Sequence, residues 1–310
     1  MNEFELIARL TRSLPQNESV LVGAGDDCAV LDVGMPDRLL LFKTDAVVEG
    51  IHYTKAAPPG GIGHKALARC LSDVAAMGGS ATAALITIGL PHRFEPEFVE
   101  EVYGGINRLA RHYGVAIAGG ETTTSPERMF ISVSLLGFVP RGKVLLRSGA
   151  KVGDAIFVTG ELGGSLAGKH LDFAPRLNEA RWLADHFHIH AMIDISDGLA
   201  GDLRHLLSAS GVGAELLKSS VPISRAAKHA AKAGDAAKPA FVAALTDGED
   251  FELLFTVPSK DAVPLLDAWK KQFPGLRLTC IGKIITGGGI TLRDRSGVHP
   301  LAAHGYVHFS

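Results

Sequence analysis

With 310 residues, 46% of them hydrophobic and 21% charged, the chain has enough apolar material for two ordinary domains or one large one, which excludes wholesale disorder. Its 31 basic and 33 acidic residues leave a net charge of −2, without the basic excess that an extended nucleic-acid surface draws on, so no nucleic-acid partner is expected. Cys28, Cys70 and Cys280 are scattered and odd in number; they supply neither a disulfide framework nor a CxxC zinc site, and a reducing, cytoplasmic compartment fits them best. The first residues lack the basic-then-apolar layout of a secretory signal. No apolar run approaches membrane-spanning length, residues 81–90 being too short and interrupted by Thr and Gly, so no membrane partner is expected either.

In chain order, residues 4–14 read as a short amphipathic helix with Phe4, Ile7 and Leu14 on one side. Gly23-Ala24-Gly25-Asp26-Asp27 follows, then an apolar strand over residues 39–42 that places Asp45 near its carboxyl end. Pro58-Pro59-Gly60-Gly61 marks a loop, and residues 64–77 predict a helix ended by Gly78-Gly79. On that helix Asp73 shares a stripe with Ala66, Cys70 and Met77, where a carboxylate is costly unless it is paired or bound to metal. Residues 83–90 read as a buried strand. Residues 96–113 form a strongly amphipathic helix, with Phe98, Val102, Ile106, Leu109 and Tyr113 on one side. A short strand at 115–118 runs into Gly119-Gly120-Glu121, so that an acid follows a strand across glycines. Residues 131–139 make another strand. Gly137 to Lys143 spells GxxxxGK, but Val144 replaces the required Ser or Thr and no helix follows, so a turn explains it better than a phosphate loop.

A domain boundary near this point gives residues 1–146 and 147–310. In the second part a strand at 155–158 precedes a glycine-rich segment, 160–168, whose N–H groups suit phosphate but which alone is weak evidence. Asp194-Ile195-Ser196-Asp197-Gly198 is a strand-to-loop transition feeding a helix that carries Leu199, Leu203 and Leu206 on its apolar face. Residues 226–238 read as a surface helix with a loop. Asp247, Glu249, Asp250 and Glu252 crowd the start of a strand at 253–257. A helix at 260–273 and strands at 277–285 and 289–294 close the chain. Helices and strands alternate in both parts, which indicates α/β or α+β architecture.

Six regions thus place acids beside glycine or at strand ends: Asp26/Asp27, Asp45, Asp73, Glu121, Asp194/Asp197 and Glu249/Asp250. Carboxylates gathered without cations repel one another. Several Mg2+ ions bridging them to a nucleotide remove that cost, and phosphoryl transfer asks the protein mainly for positioning and charge neutralisation.

The ordered motifs Gly25-Asp26-Asp27, Thr44-Asp45, His52, Leu71-Ser72-Asp73, Gly119-Gly120-Glu121-Thr122-Thr123, Arg147-Ser148-Gly149-Ala150-Lys151, Ile193-Asp194-Ile195-Ser196-Asp197-Gly198-Leu199, Gly248-Glu249-Asp250-Phe251-Glu252 and Gly305-Tyr306 together resemble the thiamine-monophosphate kinase family across essentially the whole chain. That family sits in a superfamily with aminoimidazole ribonucleotide synthetase and selenophosphate synthetase. The resemblance implies a two-domain α/β fold whose N-terminal domain, 1–146, binds ATP and metal and contributes strands to a barrel shared in a homodimer, with a C-terminal α/β domain at 147–310. It implies ATP and thiamine monophosphate as substrates and several Mg2+ ions as cofactors. Asp27, Thr44, Asp45, Asp73, Glu121, Asp194 and Asp197 would hold Mg2+. Gly120, Glu121, Arg147 and Ser196 would meet ATP, and His52, Glu249 and Tyr306 the thiamine phosphate. No covalent nucleophile is implied.

This chain departs from the family pattern at several points. Lys43 stands where a small hydroxyl residue usually helps bind metal, and its ammonium would either substitute for one cation or repel it. Glu121 replaces an Asp, Cys70 an Asn and Thr124 an Arg; Thr246-Asp247 precedes Gly248, and the segment at 168–170 is short. These departures leave two other readings open: a related ATP-dependent enzyme with another small acceptor, and a nucleotide-binding paralogue without catalysis.

Overall fold

The computed structural model describes residues 3–233, 238–302 and 305. Tyr306, expected at the substrate, lies outside them, as do residues 234–237 of the surface segment. The chain folds as two units, one of Glu18–Val144 with Gly168–Asn178, the other of Met1–Asn17, Leu145–Ala167 and Glu179–Ser310. The first helix, α1 (Glu3–Thr11), ends where the Thr11 hydroxyl donates to the Ile7 carbonyl at 2.8 Å, short of the predicted residue 14.

In the first unit, β1 (Val20–Val22), β2 (Ala29–Leu31), β3 (Arg38–Val48), β4 (Ser80–Leu90), β5 (Ala116–Thr124) and β6 (Phe130–Pro140) form one sheet in the order β1-β2-β3-β6-β4-β5. All neighbours are antiparallel except β4 and β5. Two helices, α2 (Pro59–Ala76) and α3 (Pro96–Tyr113), pack against the sheet and each other. Strand alternation decides what they cover. Leu39, Leu41 and Val47 of β3, Ile131, Val133 and Leu135 of β6, and Ile86 and Ile88 of β4 are buried, while Phe42, Leu85 and Leu136 are exposed on the opposite face. The helices approach closely through glycine: a Cβ on Gly63 would overlap the Val102 carbonyl, and one on Gly105 the Gly60 carbonyl.

Three boundaries that bear on the site differ from the sequence reading. β3 runs on to Val48, because Lys43, Thr44 and Asp45 pair with Leu135, Ser134 and Val133 of β6; Asp45 therefore lies within the strand. β5 continues through Gly119 and Gly120 to Thr124, so Glu121 is also a strand residue. α2 starts at Pro59, inside the segment read as a loop, since a proline at the first helical position has no N–H to leave unpaired.

In the second unit, β7 (Ala155–Thr159), β8 (Ala191–Asp194), β9 (Gly213–Leu217), β10 (Leu253–Val257), β11 (Leu278–Ile285), β12 (Ile290–Asp294) and β13 (Gly297–Pro300) form a sheet in the order β13-β12-β9-β11-β7-β10-β8. Only β12 and β9 run parallel. Its helices are α5 (Leu199–Ser210), α6 (Arg225–Ala233), α7 (Ala240–Thr246), α8 (Ala262–Gln272) and most of α4 (Leu177–His186). Every residue of β7, β8 and β10 is buried, which fits their largely apolar sequences, and it takes Asp194 at the end of β8 out of water with them. Ile156, Val158, Ile193 and Leu254 join Leu199, Leu203 and Leu206 of α5 in one core cluster. Phe157 and Phe255 stack together, and Trp182 of α4 meets Trp269 of α8 edge to face.

Candidate active site

Each unit assembles its own acids. In the first, Gly25, with φ of 127°, turns the chain so that Asp27 enters the interior while its N–H caps the Asp26 carboxylate at 3.0 Å. Asp27 is 2% exposed and Asp73 of α2 is 7% exposed, and each offers a carboxylate oxygen within 4.8 Å of the other's. Hard oxygen donors at this spacing suit Mg2+.

β3 adds Lys43 and Asp45 on the helix-covered face. Lys43 Nζ lies 2.9 Å from Asp73 Oδ1, and Arg69 Nε lies 3.0 Å from Asp45 Oδ2. Burial pulls the Lys43 pKa down, but Asp73 and Asp45 outweigh it and hold the ammonium charged. Cys28 and Cys70 are both buried here; burial, reinforced by neighbouring carboxylates, pushes their thiols well above the ordinary range, so neither supplies a thiolate.

The register separates the remaining first-unit candidates. Asp45 pairs with Val133, Val133 with Ile86, and Ile86 with Gly120; the adjacent row is Thr44, Ser134 and Leu85. Thr87, which pairs with Glu121, belongs to that second face. Thr44 and Glu121 thus present their side chains to the uncovered face, opposite Asp45. Gly120 is the close-approach position: a Cβ there would overlap the Ile86 carbonyl of β4.

His52 follows β3. The Val48 N–H donates to His52 Nδ1 at 3.0 Å, which in the neutral ring places the proton on Nε2. Lys65, fully buried on α2, donates to the His52 carbonyl at 2.6 Å and fixes this loop.

In the second unit, β8 ends at Asp194, paired with Leu253 of β10. The loop after it is clasped to residues 249–252. Glu249 N–H donates to the Ser196 carbonyl at 2.7 Å, Phe251 N–H to the Ile195 carbonyl at 2.8 Å, and Ile195 N–H to the Glu252 carbonyl at 2.8 Å. This clasp holds Glu249 and Phe251 at φ of 58° and 50°, left-handed values that non-glycine residues adopt only under constraint.

Three of the four acids of this stretch act as ties. Asp250 accepts from the Gly163 N–H and the Ser165 hydroxyl, Asp247 accepts from the Gly164 N–H at 2.9 Å, and Glu252 accepts from the Thr159 hydroxyl at 2.8 Å. They tie the glycine segment in place. The Gly163 and Gly164 N–H groups, considered from sequence as phosphate donors, are used by the chain's own carboxylates.

Asp202, on the first turn of α5, was not singled out from sequence. It is 2% exposed, and its Oδ2 accepts the Asp197 N–H at 3.0 Å. The signal was available, because Asp202 lies on the same helical face as Leu199 and Leu206, the pattern that drew attention to Asp73. Burial, then Asp197 and Asp194, raise its carboxyl pKa well above the usual range, against the lowering effect of the Asp197 N–H and Arg147. Lys65 and Arg69 were also missed as site residues, although they precede Asp73 at four-residue spacing on α2.

Known proteins place the fold in a class. Residues 25–139 match the AIR synthase related protein, N-terminal domain, and residues 151–295 match the AIR synthase related protein, C-terminal domain, so this is a two-domain α/β protein of the AIR synthase type. A thiamine-monophosphate kinase from Rhodopirellula baltica is 40% identical over 308 residues, covering 96% of this chain and 93% of that relative. The Escherichia coli K12 thiamine-monophosphate kinase is 35% identical, with 99% and 98% covered. A solved structure described as AaThiL complexed with AMPPCP and TMP superposes with a TM-score of 0.82 at 31% identity, covering 99% of this chain and 97% of that one. The chain belongs to the thiamine-monophosphate kinase family.

Asp202→Asn keeps an oxygen acceptor for the Asp197 N–H and removes a buried titratable carboxyl. Because the folded pKa is raised, the stability tied to protonated Asp202 is present at low pH and lost as pH rises through the folded value. The variant is expected to raise the unfolding temperature of the metal-free protein at pH 8 by about 2–4 °C, the equivalent of roughly 1 kcal/mol. That gain should shrink as pH falls toward 4. Thermal melts across this range check it, and a loss at pH 8 or a pH-independent gain contradicts it.

Proposed function

We propose that this chain transfers the γ-phosphoryl group of ATP to the phosphate of thiamine monophosphate, giving thiamine diphosphate and ADP. The observation that carries this reading is near-full-length similarity to thiamine-monophosphate kinases, joined to the likeness to a structure holding AMPPCP, a non-hydrolysable ATP analogue, and TMP.

Asp27, Asp45 and Asp73 in the first unit and Asp194 and Asp197 in the second are the proposed Mg2+ ligands, with Thr44 and Glu121 contributing from the other face of the sheet. When bound, Mg2+ would neutralise phosphate charge and orient the phosphates. Arg147 supplies a permanent cation for ATP phosphate oxygens, and Gly120, Glu121 and Ser196 complete the proposed ATP contacts. His52, with its proton on Nε2, is a donor for the acceptor's phosphate. Glu249, held by the clasp to Ser196, and Tyr306 are the other proposed contacts to the thiamine compound. Asp202 holds the Asp197 main chain, and Lys65 holds the His52 loop.

The acceptor is already an anionic phosphate oxygen, so direct in-line attack needs no enzyme nucleophile. The protonated, buried thiols of Cys28 and Cys70 fit that economy. Unpaired cysteines also fit a cytoplasmic location. Among the described residues no helix is long and apolar enough to cross a membrane.

The uncovered sheet face supports a homodimer. Phe42, Leu85 and Leu136 are 45%, 50% and 37% exposed, and Phe42 pairs directly with Leu136 across β3 and β6. Such a contiguous apolar surface calls for a cover, and a second copy of the face gives closed two-fold symmetry. Light scattering is expected to give a dimer for the unaltered protein and a monomer for Leu136→Asp; a monomeric unaltered protein overturns this assignment.

Incubation of the pure protein with ATP, Mg2+ and thiamine monophosphate is expected to yield thiamine diphosphate and ADP in equal amounts. Asp45→Asn should lower the rate by at least about 100-fold, the scale of losing one preorganised charge contact. No thiamine diphosphate from the unaltered protein refutes the assignment.

A further inference from the structure

The acids of the first unit already hold a cation that belongs to the chain. Lys43 lies on the helix-covered face of β3, with its Nζ 2.9 Å from Asp73 Oδ1 and both side chains largely shielded, at 21% and 10% exposure. Asp73 is the acid that approaches Asp27, the two oxygens lying within 4.8 Å. Asp45, on the same face of the strand, has its own partner in Arg69 at 3.0 Å. The ammonium therefore engages Asp73, a buried carboxylate beside Asp27, while Asp45 is balanced separately by Arg69.

A Mg2+ ion sits about 2.1 Å from each oxygen it binds. An ion on Asp73 Oδ1 would then stand within about 5 Å of an ammonium already seated on that atom, and like charges that close in a partly shielded site repel strongly. Ammonium and metal are alternatives at this carboxylate edge. The ammonium has the advantage of being covalently present at every Mg2+ concentration, so it carries no cost of capture from solution. Its single charge and three N–H donors satisfy the carboxylate without requiring octahedral coordination.

We propose that the Lys43 ammonium takes the place of one divalent cation in this acidic site, so that the nucleotide-bound chain holds one metal ion fewer than the same chain with a neutral residue at position 43. The proposal rests on the nucleotide-and-Mg2+ reading of the site given above. It makes Lys43 a positioning residue: it sets the charge and orientation of Asp73.

The test counts Mn2+ bound per chain, by electron paramagnetic resonance of free Mn2+ and by calorimetry, in the presence of saturating AMPPCP. Lys43→Thr is expected to bind one more Mn2+ than the unaltered protein, and Lys43→Arg, which keeps the charge, to match the unaltered count. Equal, non-zero counts for Lys43→Thr and the unaltered protein overturn the proposal while leaving the kinase reading intact. Absence of any Mn2+ binding by the unaltered protein overturns both. Crystals of the unaltered protein with Mn2+ and AMPPCP give a second test that does not depend on a variant folding. Anomalous scattering with no Mn2+ on Asp73 Oδ1, and Lys43 Nζ still on that atom, supports the proposal. A Mn2+ ion bound to that oxygen, with Lys43 turned away, overturns it.

Discussion

Buried carboxylates set the terms for this molecule. Asp27, Asp73, Asp194 and Asp202 are each 7% exposed or less. An uncompensated buried ion costs several kcal/mol, against a total folding stability of about 5–15 kcal/mol. Two such groups without partners would be enough to unfold a typical domain. Their presence is accounted for only if cations, donors or protonation offset them, and for Asp73 and Asp202 the offset is visible. Lys43 faces Asp73, the Asp197 N–H and a raised pKa serve Asp202, and the pairing of acids leaves a demand that Mg2+ and nucleotide are suited to meet.

The backbone carries the chemistry to these positions by simple periodicities. Alternation along β3 sends Lys43 and Asp45 to the helix-covered face and Thr44 to the other. Four-residue spacing along α2 brings Lys65, Arg69 and Asp73 to neighbouring heights on one side, where Lys65 anchors the His52 loop and Arg69 holds Asp45. In the second unit, backbone hydrogen bonds between residues 195–196 and 249–252 do the comparable work. Strain at Glu249 and Phe251 is stored there and offset by the ties from Asp247, Asp250 and Glu252 to residues 159–165. The most acidic stretch of the sequence is for the most part an internal brace.

Legibility in the sequence followed the strength of local signals. α3 matched its predicted span because a five-residue apolar stripe ends at Gly114, whose φ of 68° closes the helix. β6 was readable as an apolar strand between turn residues, and it spans Phe130–Pro140. The full extent of β3 was not, because Lys43-Thr44-Asp45 is polar and only pairing with β6 keeps it extended. β5 crosses two glycines that would ordinarily end a strand, and its parallel partner β4 is what carries it through. α7 is seven mostly apolar and small residues packed beside α5, with Ala243, Ala244 and Leu245 buried, and it is too short for periodicity to distinguish it from a strand. Among the site residues, the recurrence of acids next to glycine was legible, and so was the family. Helical spacing placed Lys65, Arg69 and Asp202 on informative faces, but their partners, the His52 carbonyl, Asp45 and the Asp197 N–H, meet them only on folding. The opposite orientations of Thr44 and Asp45 required the sheet register.

Positioning and charge neutralisation suffice for the proposed transfer, with phosphate attacking phosphate directly and no group on the enzyme taking the phosphoryl in between. The stereochemical course at phosphorus tests this most directly, using ATP made chiral at the γ-phosphorus with oxygen isotopes and sulfur and thiamine monophosphate as acceptor. A single in-line displacement predicts inversion of configuration in the thiamine diphosphate product. Retention would require two displacements through a phosphorylated enzyme and would contradict direct transfer.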